Sequence, residues 1–159
     1  MIKTVLCDLL GIEHPIVQGG MAWVGTAELV AAVSEAGAFG ILGGGNAPPD
    51  YVRAQVRETK RRTRKPFGVN IPLFSPYVDD IVDICIEEGV KAVATGAGSP
   101  GAIIPRLKEH GMVVMPVVGK LERPRPLPGS ITEAVLGPDA ARTAPKRSSS
   151  AKRRAEEMA

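Results

Sequence analysis

A parallel α/β fold is what this sequence predicts, on three observations. Short apolar runs recur about every 25 residues, the length of a strand plus a crossover helix. The runs, at Ile16–Gln18, Phe39–Leu42, Phe67–Leu73, Ala92–Thr95 and Val113–Val118, are nearly continuous in apolar residues, as strands buried on both faces are. Between them lie amphipathic segments that open on Ser, Thr or Pro and close on Gly.

Taken in order, each segment carries its own punctuation. Thr26 is placed to cap a helix with Leu29, Val30 and Val33 as its apolar stripe, and Gly37 stands where a left-handed stop belongs. A second helix runs from Pro49 to about Arg62 and is the most polar of the set. Ser75-Pro76 opens a third, with Val78, Ile81, Val82 and Cys85 on its inner face and Gly89 at its end. Ser99-Pro100 and Gly111 repeat the device, although Pro105 should kink or shorten that helix. From Lys120 the pattern fails: Pro124, Pro126, Pro128, Pro138 and Pro145 break every period, so residues 120–159 read as a linker or irregular tail ending in a short helix, Ala151 to Met158. Residues 1–119 form the folded part.

Composition narrows the function classes. The chain has 159 residues, 44% hydrophobic and 23% charged, enough for one domain with a core. No apolar run approaches the roughly 18 residues of a membrane span, and MIKTVLCDLL holds Asp8 without a cleavage pattern, so a cytoplasmic protein that meets no membrane is expected. The net charge is only +3, and the run Lys60, Arg61, Arg62, Arg64, Lys65 has no interleaved aromatics. It reads as a solvated helix end that favours the helix dipole, not a nucleic-acid surface. Cys7 and Cys85 lack metal or redox spacing and read as reduced core residues.

In parallel α/β proteins ligands bind beyond the carboxyl ends of the strands. Here those ends read Gly19-Gly20-Met21-Ala22, Gly43-Gly44-Gly45-Asn46, Asn70, Thr95-Gly96-Ala97-Gly98 and Gly119. Glycine there either admits a flat ring or a phosphate close to the backbone or simply makes a tight turn. GxGxxG and GxxxxGK[ST] are both missing, as are metal-ligand and nucleophile-elbow patterns. His14 and His110 read as structural, and Asp79, Asp80, Asp83, Glu87 and Glu88 as the wet face of one helix. Asn70, a polar amide ending an apolar strand, is either a turn former or a donor and acceptor facing a ligand. Glycine backbone plus one amide suits a cofactor that brings its own reactivity.

PIVQGGMAWVG, GAFGILGGGNAP, KPFGVNIPLFSP and KAVATGAGSP, in this order and spacing, resemble the N-terminal half of the flavin-dependent enoyl-acyl-carrier-protein reductases, relatives of the nitronate monooxygenases once called 2-nitropropane dioxygenases. The likeness runs from about Lys3 to Val118, and the GGGNAP turn and long FGVNI strand lean toward the reductase branch. It implies a (β/α)8 TIM barrel with FMN at its C-terminal mouth. Gly20, Met21 and Ala22 would lie along the isoalloxazine ring with Gly43 close by, Asn70 would hydrogen-bond the flavin, and Thr95 and Gly96 would line the mouth of the fourth strand. The reductase branch reduces trans-2-enoyl thioesters on acyl carrier protein with NADH or NADPH; the monooxygenase branch oxidises alkyl nitronates with dioxygen.

Such a barrel typically takes about 250 residues, whereas five candidate strands precede the irregular tail here. The resemblance therefore implies a barrel interrupted after its fifth strand, without counterparts of the family's Gly-Gly-His turn or its phosphate loops. SAKRRAEEM, from Ser150, resembles the helix expected after strand five, which would make residues 120–149 an inserted or frame-shifted segment. An open strand edge invites a partner, either a second copy or a complementary C-terminal fragment. The other readings are a non-catalytic half-barrel and a complete doubly wound domain of flavodoxin type; for the last, QGGMAWVG lacks the expected Ser/Thr-rich loop.

Overall fold

The computed structural model describes residues 2–117. The tail from Lys120, Gly119 and Val118 at the end of the fifth run lie outside the described residues.

Four of the five apolar runs form one parallel sheet: β1 (Gly40–Gly43), β2 (Phe67–Pro72), β3 (Ala92–Gly96) and β4 (Val113–Pro116), in the order β1-β2-β3-β4. The first run, Ile16–Gln18, makes a single parallel bridge, Val17 with Phe39, on the other side of β1. Its N–H and C=O groups alternate with Phe39: Phe39 donates to Ile16 O and Gln18 donates to Phe39 O, each at 2.9 Å. Gly19-Gly20 then leave the sheet, so the pairing stops after one bridge. Neighbours in sequence are thus neighbours in space throughout, with no reversal of strand order. A doubly wound domain of flavodoxin type needs such a reversal, and this order is that of a barrel wall.

Alternation along the strands separates two faces. Leu42, Val69, Ile71, Val93 and Val114 point into a core with α2 (Ala27–Glu35), α3 (Pro49–Arg62), α4 (Val78–Glu87) and α5 (Ile104–Glu109). Ile41, Ala92, Ala94, Val113 and Met115 face the other way, toward α1 (Val5–Leu10). The sequence reading assigned no element to VLCDLL. Its signals are present all the same: Thr4 is extended, Gly11 closes the helix in the left-handed region at φ 72°, and Cys7 and Leu10 are buried. A helix of 6 residues has no stability of its own, and burial of that face against Ile12, Phe39 and Ile41 supplies it.

Helix α3 has the bounds the sequence predicts, and α2 buries Ala27, Val30, Ala31 and Ser34, a stripe turned from the predicted one through its small residues. α4 starts at Val78 because Ser75 Oγ accepts the Tyr77 N–H at 3.3 Å in a turn of its own. Pro105 has the predicted effect: a 3-10 turn, Pro100–Ala102, precedes α5, in which proline falls in the first turn. Ser99 makes no capping hydrogen bond there.

The charged helix faces pair with each other. Arg53 meets Glu87 at 2.6 Å, Arg57 meets Glu88 at 2.7 Å and Lys60 meets Glu88 at 3.4 Å, joining α3 to α4, while Arg106 spans Asp79 and Asp83. Arg61 and Arg62 pair with Glu58, and Lys65 with Glu13, so most of the basic run is engaged within the fold. The hydrogen bond from Arg57, reinforced by Lys60, holds the Glu88 carboxyl below its ordinary value against a smaller opposing push from burial. A lowered folded-state pKa gives stability that is present above the unfolded value and lost as pH falls through the folded one. Glu88→Gln is therefore expected to cost no more than about 1 kcal/mol at neutral pH. In melts across pH, the two proteins should converge on acidification below 4.5, the ordinary value for this group.

Candidate functional site

The strand ends converge at one rim of the sheet. In register, Gly43 of β1 lies beside Asn70 of β2, Asn70 beside Ala94 of β3, and Ala94 beside Met115 of β4. This row belongs to the face that α1 covers further down; it holds the last residue of β1, while β2 and β3 run on to Pro72 and Gly96. Ala94 and Met115 are additions to the predicted set. Counting alternation outward from Asn70 through the register identifies them, and the register is not visible in one sequence.

The loop that follows Gln18 folds back over this row. Met21 O accepts the Val24 and Gly25 N–H groups at 3.2 and 2.7 Å, and Gly25 O accepts the Gly43 N–H at 3.0 Å. Gly20, Met21, Ala22, Gly43 and Asn70 are thereby brought together. A Cβ on Gly20 would lie 2.4 Å from Asn70 Cβ, one on Gly43 2.1 Å from Met21 O, and one on Gly44 2.3 Å from Asn70 O. These glycines are thus used for packing one chain segment onto another. At Gly19 and Gly96 an added Cβ would meet nothing within 4 Å, so the open backbone at the rim is there.

Three sets of polar groups at the rim have no partner among the described residues. The Asn70 side-chain amide makes no hydrogen bond, although its backbone O accepts from Gly44 at 3.1 Å. The N–H groups of Gly19, Gly20, Met21 and Ala22 donate to nothing. Thr95 Oγ1 is buried and unsatisfied, the side chain as a whole being 1% exposed. Of these, Thr95 Oγ1 alone is a buried group without a partner, an uncommon state that calls for a missing donor, acceptor or water. Gly19, Met21 and Ala22 are exposed and Gly20 and Asn70 half-buried, so their free groups are open to solvent or to a ligand. Thr95, however, falls in the row of Ile71 and Pro116, on the helix-covered face, whereas Asn70 falls on the opposite one. The structure brings the first five predicted residues together and sets the Thr95 side chain apart from them; Gly96, beside Pro72, ends the strand at the rim.

Backbone strain gathers in the same loops. Trp23 and Ala97 hold φ values of 64° and 55°, a region bulky side chains seldom enter. Trp23 is 65% exposed and tilts against Tyr51, ring centroids 5.8 Å apart, over a small shallow cleft open to solvent. That cleft, bordered by Gly25, Gly43 and Gln55, meets the Asn70 row only at Gly43.

The remaining titratable groups lie elsewhere. His14 follows α1 and donates its backbone N–H to Gly37 O, while His110 ends α5 with a ring nitrogen 2.9 Å from Arg106 O. Both precede strands and sit at the opposite end of the sheet from the rim. Burial pushes the Cys85 thiol up to about 12, so it carries no thiolate at neutral pH. No cluster of His, Cys, Asp and Glu suited to a metal ion occurs among the described residues, nor any helix long and apolar enough to cross a membrane.

Comparison with known proteins places this geometry in context. Residues 3–84 match the family model described as nitronate monooxygenase. The (3aS,4S,5R,7aS)-5-hydroxy-7a-methyl-1-oxo-octahydro-1H-indene-4-carboxyl-CoA dehydrogenase of Mycobacterium tuberculosis is 41% identical over 124 residues, covering 78% of this chain and 35% of that protein. A nitronate monooxygenase of Paraburkholderia phytofirmans is 48% identical over 78 residues, covering 49% and 21%. The structure of FabK from Thermotoga maritima superposes with a TM-score of 0.73 at 55% identity, over 74% of this chain and 38% of FabK. The chain therefore spans less than two fifths of the length of each, and its described residues form part of a TIM barrel.

Proposed function

The chain belongs to the nitronate monooxygenase family, and on that footing we propose that it is the ring-binding part of an FMN-dependent oxidoreductase. The observation that carries this reading is the Asn70 amide, without a partner among the described residues, beside Gly43 in the strand register and against Gly20, under a loop whose Gly19–Ala22 N–H groups are free. Together they offer donors and one acceptor along a flat rim, matching the polar edge of an isoalloxazine ring. Gly19 and Gly96 leave the backbone open on either side, as a planar group requires. FMN, when bound, supplies two-electron redox chemistry that no side chain at the rim provides. The residues' own work is to hold the ring edge, fix its orientation and keep water from one side of it.

Among substrates, we favour reduction of a trans-2-enoyl thioester by NADH or NADPH. The GGGNAP turn and FGVNI strand lean that way, and the Mycobacterium tuberculosis relative is named for a carboxyl-CoA substrate. Oxidation of alkyl nitronates with dioxygen is the second reading, favoured by the family model and the Paraburkholderia phytofirmans relative.

Asn70→Ala tests the site. The substitution keeps the Cβ that packs on Gly20 and removes only the amide, so the melting temperature should hold while FMN affinity falls about tenfold, the equivalent of about 1.4 kcal/mol. Unchanged FMN affinity in a folded variant would remove Asn70 from the site.

A further inference from the structure

Gln18 ends the first strand at the point where pairing with β1 stops. Its side chain continues the pairing in place of the backbone. Nε2 donates to Ile41 O at 3.2 Å, and Oε1 accepts the Ile41 N–H at 3.2 Å, so one amide occupies both backbone groups of a single β1 residue. Nε2 also donates to Gly19 O, the first residue of the loop. The loop is therefore clipped to β1 at two points. The Gln18 amide holds Ile41 on one side, and Gly25 O holds the Gly43 N–H at 3.0 Å on the other. Between these clips lie Gly20, Met21 and Ala22, pressed against Asn70 and Gly43.

A continued β-ladder would have paired the backbone of residues 19–21 with β1. It would have consumed the N–H groups that are now free and carried the chain along the sheet instead of across the rim. By substituting a side-chain amide for the next ladder pair, Gln18 keeps the edge of β1 satisfied while it releases the following backbone. A buried backbone N–H and C=O left without that amide would each need a new partner.

We propose that Gln18 is a positioning residue: its amide clasp on Ile41 sets the Gly19–Ala22 backbone at the rim and keeps its N–H groups available to a planar ligand. The proposal rests on the flavin reading for the identity of that ligand, but not for the clasp itself. Glutamine is required because the clasp needs one donor and one acceptor at the reach of two methylenes. Glutamate offers only acceptors at neutral pH, and methionine offers similar volume with neither.

The test uses the full chain in three forms: wild type, Gln18→Met and Gln18→Glu. Amide hydrogen exchange is followed at residues 19–25 and 41, and FMN is titrated with visible-region circular dichroism of the bound flavin. Exchange at Val24 and Gly25, whose N–H groups are held by Met21 O, and at Ile41 should rise at least tenfold in both variants, while the already free Gly20–Ala22 amides and the amides in α3 and α4 keep their wild-type rates. FMN should bind at least tenfold more weakly, with an altered flavin dichroism band. A merely space-filling role predicts instead that Gln18→Glu, nearly isosteric, retains wild-type exchange and the wild-type flavin spectrum, and that result overturns the proposal. If the wild type takes up no FMN, the flavin reading fails on its own. The exchange data then decide the clasp: faster exchange confined to the loop and Ile41 supports it, and unchanged exchange overturns it.

Discussion

Gly43→Ala is expected to abolish saturable FMN binding and to destabilise the fold by about 1–3 kcal/mol, the usual cost of forcing extra volume into a packed site. The added Cβ would sit 2.1 Å from Met21 O and 2.5 Å from Met21 C, both backbone atoms, so no rotamer change relieves the clash. Gly43 itself cannot yield, since it is held in register with Asn70 and donates its N–H to Gly25 O. The loop must lift instead, which takes Met21 and Ala22 away from the rim. Gly19→Ala is the matching control for stability. Its Cβ enters open space, and the melting temperature should not change. A Gly43→Ala protein with wild-type melting and wild-type FMN affinity would show that the loop does not need to pack against β1.

Phe39→Ala is expected to cost about 3–5 kcal/mol, measured by denaturant unfolding. Phe39 is fully buried, and its ring lies across Gly68, where an added Cβ would come within 2.9 Å of Cε1. It joins α1 to the inner face of the sheet through Cys7, Leu10, Ile12 and Ile41. Across the sheet from it Gly68, Ala92 and Ala94 carry little side chain, so the larger neighbours Leu10, Ile12 and Ile41 would have to shift to fill the space the ring leaves. Against a total stability of about 5–15 kcal/mol for a domain, a loss of this size removes a large fraction of the margin. A loss below about 1 kcal/mol would mean that α1 and the inner face are not packed as the structure has them.

Several features were legible because they depend on local pattern. Buried parallel strands read as continuous apolar runs, which located β1 to β4 within a residue or two. Helix α3 could be bounded because Pro49 marks its start and a cationic turn marks its end. The Asn70 reading rested on one polar residue in an apolar strand, which periodicity exposes. What stayed hidden depends on contacts distant in sequence. α1 carries only 6 residues and owes its helix to burial against strands 30 or more residues away in the chain, so its cap signals alone do not distinguish it from a turn. The first strand looked like the others but pairs at one bridge, because Gln18 substitutes its side chain for the next pair. The glycines were read either as openings for a ligand or as tight turns, yet Gly20, Gly43 and Gly44 are used to bring the Met21 loop onto Asn70. Thr95 shares its strand with Ala94 but not its face, a distinction that needs the register.

The central claim is that the strand ends around Asn70 hold a flavin ring, and FMN binding by the purified 159-residue chain tests it most directly. Flavin fluorescence should be quenched saturably at one FMN per chain, and Asn70→Ala should shift the titration to about tenfold higher concentration. A chain that melts cooperatively and yet leaves FMN fluorescence unchanged at every concentration would contradict it.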